Sequence, residues 1–156
     1  MDNMSTNRYK ELQNILNRLR TLNSTRYLYT ATRNDEGKLI YVVDGLDLDA
    51  TDFAYPGSYI EDEMIPYIST ALESETIYSQ DIIDTTWGHI FTACYPIRDG
   101  NTNEIIGALC LEMDMESSYR FIAKNNKTTL LSASTAIFVS IILAFYCYIH
   151  SKKNKR

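Results

Sequence analysis

The 156-residue chain has three cysteines, Cys94, Cys110 and Cys147, and two histidines, His89 and His150. No cysteines stand at CxxC spacing, and no histidine stands near one at ligand spacing. That excludes the usual zinc sites and dithiol redox motifs. There is no G-x-S-x-G elbow and no glycine-rich phosphate loop, so hydrolase and nucleotide-binding readings find no support. Basic residues are not clustered before the last few positions, as nucleic-acid binding would require. Residues 1–127 hold 20 acidic and 11 basic side chains, a net of −9, and the final five residues add four positive charges. The first 13 residues, MDNMSTNRYKELQ, have no apolar core and do not read as a secretory signal peptide.

What the chain does have is a long uncharged run near its end. Thr128 to Ile149 spans 22 residues without a charge and stops at Lys152, Lys153, Lys155 and Arg156. At about 1.5 Å rise per residue such a helix covers the roughly 30 Å hydrocarbon core of a bilayer. The sequence therefore predicts five parts: an amphipathic helix at 1–24, one folded domain at 25–118, a juxtamembrane connector at 119–127, a transmembrane helix at 128–150 and a basic tail at 151–156. The positive-inside rule favours the KKNKR end in the cytoplasm and the domain outside, as a single-pass protein of the cell membrane. Arg120, Lys124 and Lys127 flank the other end almost as strongly. Either an upstream span belongs to a longer protein, or the chain is tail-anchored with its domain in the cytoplasm.

Ahead of the domain, Tyr9, Leu12, Ile15, Leu16, Leu19 and Leu22 recur at three- and four-residue steps, which predicts a helix over 5–22. Two β-rich runs, 26–33 and 38–44, flank an NDEG turn whose Gly37 suits a positive φ, so they form a hairpin. Residues 45–59 carry turn residues and acids without a period and read as a long loop. A helix follows at 61–73, with Pro66 in its first turn. A short strand at 76–78 and a second hairpin, 87–98 with 104–114, complete the domain.

The run YPIRDGNTNEIIGALCLEMD (95–114) resembles a hairpin of the extracytoplasmic PAS-like (PDC/Cache) sensor domains of bacterial membrane receptors, as found before diguanylate cyclase or histidine kinase modules. The early hairpin at 27–45, the Pro56-Gly57 turn and the strand TWGHIFTACYP (86–96) extend the resemblance over residues 8–120. It implies an α+β fold: a PAS-like five-stranded antiparallel sheet with a long N-terminal helix and helices on one side, followed by a single C-terminal transmembrane helix. It further implies a sensor without catalytic residues of its own, binding a small molecule for a diguanylate cyclase, histidine kinase or chemoreceptor output. The alternatives are a tail-anchored interaction module and a truncated receptor remnant.

Strand alternation predicts that Trp87, His89, Phe91 and Tyr95 share a sheet face, as do Tyr27 and Tyr29. With Tyr55, Tyr59 and Asp44 from the long loop and its approach, they form the candidate ligand-binding set. The competing reading is ordinary core packing. An acidic, aromatic pocket matches an amine or amino-acid ligand. No cofactor is implied, and Asp44, Asp47, Asp49 and Asp52 lack the spacing of a calcium loop. The Leu12-Ile15-Leu16-Leu19 stripe could pair with a second copy in a homodimer or pack on its own sheet. Cys94 and Cys110 fall on hairpin partners and can be bridged only if their register sets them opposite; small buried cysteines in strands are the commoner case.

Overall fold

The computed structural model describes residues 3–23, 25–116, 119, 120, 122 and 124. The chain divides into two units, Met1–Glu116 and Ser117–Arg156, and the sheet lies wholly in the first. The expected span at 128–150 and the basic tail lie outside the described residues, as does most of the connector. Among the described residues no helix is long and apolar enough to cross a membrane.

Helix α1 runs Asn7–Leu22, and the Thr6 side chain accepts from Tyr9 N at 3.2 Å to cap its first turn. Strands β1 (Tyr27–Arg33) and β2 (Leu39–Asp44) form the first hairpin, with Gly37 at φ 78° in its turn. After the long loop, a single 3-10 turn at Asp62–Met64 leads into α2, Ile65–Glu73, with Pro66 in the first helical turn. Then follow β3 (Ile77–Tyr78), β4 (Ile83–Thr85), β5 (Gly88–Arg98) and β6 (Ile105–Asp114).

Every pairing is antiparallel and the order is β2-β1-β6-β5-β3, with β4 also on β5. Strands β3 and β4 take different stretches of the same edge of β5: β3 meets Ala93 and Cys94, β4 meets Gly88 to Ile90. The sheet thus has the five expected positions, with its last edge split in two. That split escaped the sequence reading because Ile83–Thr85 is too short to show a period.

The helices do not share one side, which corrects the expectation. Residues directly opposite each other on neighbouring strands project to the same face. Asp44, Tyr29, Cys110, Cys94 and Ile77 form one such row across five strands. With Ile68 and Ala71 of α2 and Phe53, Ile60 and Met64 of the loop region, most of this row belongs to the main core. The opposite face is covered over β1 and β2 by α1, where Tyr9 and Leu16 pack on Leu28 and Val43. Residues on both faces of β1 are buried from Tyr27 to Ala31, as a strand covered on both sides requires. Leu16 is buried on its own sheet, while Leu12, Ile15 and Leu19 of the same stripe stay exposed.

Gly45 sets how closely α1 approaches. A Cβ there would lie 2.6 Å from Leu28 O and 3.0 Å from the Leu16 side chain. Asn17 and Arg20 donate to Gly45 O at 2.9 and 3.1 Å, and buried Gln13 donates to Leu46 O at 2.6 Å. α1 thereby anchors the root of the long loop.

Candidate functional site

The long loop folds back over the α2-side face of the sheet, and two devices hold it there. The Asp44 carboxylate accepts from Leu46 N at 3.0 Å and from Ala54 N at 2.8 Å, clasping both arms of the loop. The returning arm then lies along the free edge of β2: Tyr41 N donates to Ser58 O at 2.9 Å, and Gly57 N donates to Tyr41 O at 2.8 Å. A further bridge pairs Ile40 with Tyr59.

A cavity of about 210 Å³ remains between loop and sheet. Tyr27, Tyr29, Tyr41, Asp44 and Glu112 reach it from strands β1, β2 and β6; Asp52, Phe53, Ser58, Tyr59 and Glu61 from the loop; Met64 from the 3-10 turn, Thr85 from β4 and Trp87 from the turn that follows it. It is smaller than the roughly 300–1,000 Å³ usual for drug-sized ligands, so it suits a small metabolite.

Three carboxylates are each held by an aromatic donor. Tyr27 Oη donates to Asp52 at 2.8 Å, and Tyr29 Oη to Glu112 at 2.8 Å. Glu61 accepts from Tyr41 Oη at 2.6 Å and from Trp87 Nε1 at 3.1 Å. Burial raises the pKa of Glu112 to about 7, against the hydrogen bond from Tyr29, and nearby Glu61 adds to the rise. Burial likewise pushes Asp44 up, opposed by its two backbone donors. The Tyr27 phenol is pushed up to about 12 by burial and by Asp52. Tyr41 is raised by burial and Glu61, and Tyr29 by burial and Glu112, so these phenols stay protonated as donors.

Among the described residues no Lys, Arg or His lines the cavity. Arg26 lies outside it, over the Tyr27 ring and 3.5 Å from Asp114. Among the described residues no group of three or more His, Cys, Asp or Glu side chains is placed to hold a metal ion. Of the acidic series, Asp44 and Asp52 reach the pocket, whereas Asp47 accepts from Asn17 at 3.1 Å.

Of the nine residues expected in the site, Tyr27, Tyr29, Asp44, Tyr59 and Trp87 line the cavity. Tyr55 does not; it is 60% exposed and packs edge-on against Phe53. His89, Phe91 and Tyr95 lie on the opposite face from Tyr27 and Tyr29, which corrects the shared-face expectation. Phe91 pairs with Met113, and Tyr95 with Leu109, while Ala93 joins Leu111 and Leu28 on the α1 side. His89 sits between Asp84 at 3.4 Å and Glu116 at 3.7 Å. The reason is local: Trp87 lies in the turn between β4 and β5, before the strand begins. It enters the pocket by way of that turn, so extending its face along the odd positions put the rest on the wrong side. The residues of β5 that face the core are Ile90, Thr92 and Cys94.

Sequence reasoning missed Tyr41, Glu61 and Glu112 as lining residues. Tyr41 was within reach, since it shares the phase of Leu39 and is buried with it, whereas a bulge in the β1–β2 pairing sends Val43 to the α1 face. Glu112 carried no such signal, because an acid near a strand end reads as solvated.

No protein-family model matches the chain, and no curated protein matches it. Among solved structures it is similar to the ligand-binding domain of the Campylobacter jejuni chemoreceptor Tlp3 in complex with 4-methylisoleucine. That similarity has a TM-score of 0.50 at 15% identity, over 73% of this chain and 43% of that one. The same Tlp3 domain in complex with L-valine gives TM-score 0.46 at 16% identity, over 73% of this chain and 44% of that one. The Tlp3 sensory domain, also called CcmL, gives 0.47 at 18%, over 73% and 45%. The chain spans less than half the length of these solved domains. Its fold is similar to that of part of the Tlp3 ligand-binding domain.

Proposed function

We propose that the chain is the small-ligand sensor portion of a transmembrane signal-transduction protein, with its domain outside the cell membrane and a cationic amine as the bound group. The observation that carries this reading is the charge of the cavity. Asp44, Asp52, Glu61 and Glu112 line it with four aromatic donors, and among the described residues no cationic side chain does. An ammonium group satisfies carboxylates and is attracted to the faces of Tyr and Trp rings. An anionic ligand would be repelled. The ligand named for the solved relative, 4-methylisoleucine, brings an ammonium and a carboxylate. Here the ammonium end has four carboxylates as partners, while a carboxylate would meet only neutral donors, the hydroxyls of Thr51, Ser58, Tyr59 and Thr85 among them.

Signalling then follows from differential binding. A ligand that draws Asp52 and Glu61 together favours the closed arrangement of the loop. Glu112 is on β6, whose end at Asp114 leads in sequence towards the expected span. A shift in the sheet is thereby handed to the segment that follows it. The output partner would be a diguanylate cyclase, histidine kinase or chemoreceptor module.

The test is a thermal-shift and calorimetric screen of the full chain in detergent against amines, amino acids, carboxylates and nucleobases. Amines at about 100 times their Kd should stabilise by roughly 2.7 kcal/mol. Asp52→Asn and Glu61→Gln should each weaken that response. Binding confined to carboxylates would sink the proposal. Protease accessibility of the domain in intact cells tests the outside placement.

A further inference from the structure

The register of β5 on β6 sets Cys94 directly opposite Cys110, and both side chains are 0% exposed. Backbone bonding on β5 alternates between its two neighbours. His89 O accepts from Met115 N at 2.8 Å, and Thr92 O accepts from Ser79 N at 2.9 Å. Odd residues of β5 therefore bond towards β6, and even residues towards β3. Cys94 and Cys110 are thus a non-hydrogen-bonded pair, the type in which opposite Cα atoms approach to about 4.5 Å. That is inside the range of about 4.4–6.8 Å that disulfides span. The two thiols are free and buried in the structure.

We propose that Cys94 and Cys110 close an intramolecular disulfide that bolts β5 to β6 under the ligand pocket. Cys110 is also directly opposite Tyr29, whose phenol holds Glu112 at the cavity. The bond would join the two central strands in the row that carries the pocket floor.

The oxidant is a small disulfide of the glutathione type. One cysteine thiolate attacks it, forms a mixed disulfide and releases one glutathione thiol. The second cysteine then attacks the protein sulfur of that mixed disulfide and releases the other. The two cysteines lose two protons and two electrons, and the glutathione disulfide takes them up as two thiols. Burial pushes the Cys110 thiol up, which slows exchange in the folded domain. The bond therefore closes while the chain is still open during folding.

The test uses the full chain carrying Cys147→Ser, refolded in detergent from denaturant with equal oxidised and reduced glutathione and quenched with iodoacetamide. Trypsin cuts after Arg98, between the two cysteines, so the bond appears as a linked peptide pair two hydrogens lighter than its parts. The oxidised protein should melt on the order of 10 °C above the same protein in reductant, and Cys94→Ser should abolish that difference. Folded protein with both cysteines alkylated would overturn the proposal, as would equal melting points with and without reductant.

Discussion

The Tyr29 phenol donates to Glu112 Oε1 at 2.8 Å from the neighbouring strand, where both side chains are almost wholly buried. Tyr29 pairs with Cys110 and Tyr27 with Glu112, so donor and acceptor are diagonal neighbours on one face of β1 and β6. Removing the hydroxyl leaves a buried carboxyl without this partner. Tyr29→Phe should cost about 1–3 kcal/mol of stability in urea unfolding. The loss should be larger above about pH 7, where Glu112 is ionised, than below it. A loss independent of pH would show that the hydroxyl is not holding the charge.

Glu112 also gives the domain a pH signature. Its folded-state pKa is raised from 4.5 to about 7, chiefly by burial, so the folded state binds its proton more tightly than the unfolded chain does. The stabilisation linked to that proton is complete below about 4.5 and is lost as pH rises towards 7. The decline should amount to about 2–3 kcal/mol, taking 1.36 kcal/mol per unit with allowance for partial solvation. Glu112→Gln should flatten the profile over that window. Binding of an amine should run the other way, strengthening as pH rises through 7 and the carboxyl gains its charge. Calorimetry at several pH values, in the protein with and without the substitution, checks both slopes.

Asp44 is a structural clasp before it is a ligand contact. Both of its oxygens accept from loop backbone, at Leu46 and Ala54. Asp44→Ala should lose about 2–4 kcal/mol, since hydrogen bonds to charged groups contribute roughly 1.5–3 each and the loop relaxes in part. Its loss of ligand binding would follow from a freed loop. Trp87→Phe separates the two effects, because Trp87 is 41% exposed and loses only its bond to Glu61. It should cost under about 1 kcal/mol of stability while weakening ligand affinity by about tenfold or less. Chemical denaturation and titration of the same preparations give both numbers.

The elements were legible because their signals are local. Alternation in 27–33 and 39–44, the Gly37 turn and the three- and four-residue steps of α1 each lie within one segment. What was not legible depends on pairing. Whether β5 shows the pocket Phe91 or Thr92 is set by its register on β6, and a one-residue difference exchanges the faces. The aromatic odd positions looked like the core face, yet the small even residues Thr92 and Cys94 are the fully buried ones. Glu112 and Glu61 became site residues only when β6 and the loop end were brought beside Tyr29 and Tyr41. Such contacts, 83 and 20 residues apart in the chain, leave no periodic trace.

That exchange of faces gives a direct control. Phe91 and Tyr95 project away from the cavity, and Tyr95 is 41% exposed. Tyr95→Ser should leave amine affinity within about twofold and change stability by under about 1 kcal/mol. Thr92→Val is its counterpart on the pocket side. It removes the hydroxyl that donates to Leu111 O at 3.3 Å, within the row shared by Glu112 and Tyr27. That substitution should cost about 1–2 kcal/mol and move the pH profile set by Glu112, because it changes the surroundings of the buried carboxyl. If Tyr95→Ser abolished binding while Thr92→Val left both stability and the pH profile unchanged, the ligand would be bound on the α1 face, and the cavity under the loop would be a packing void.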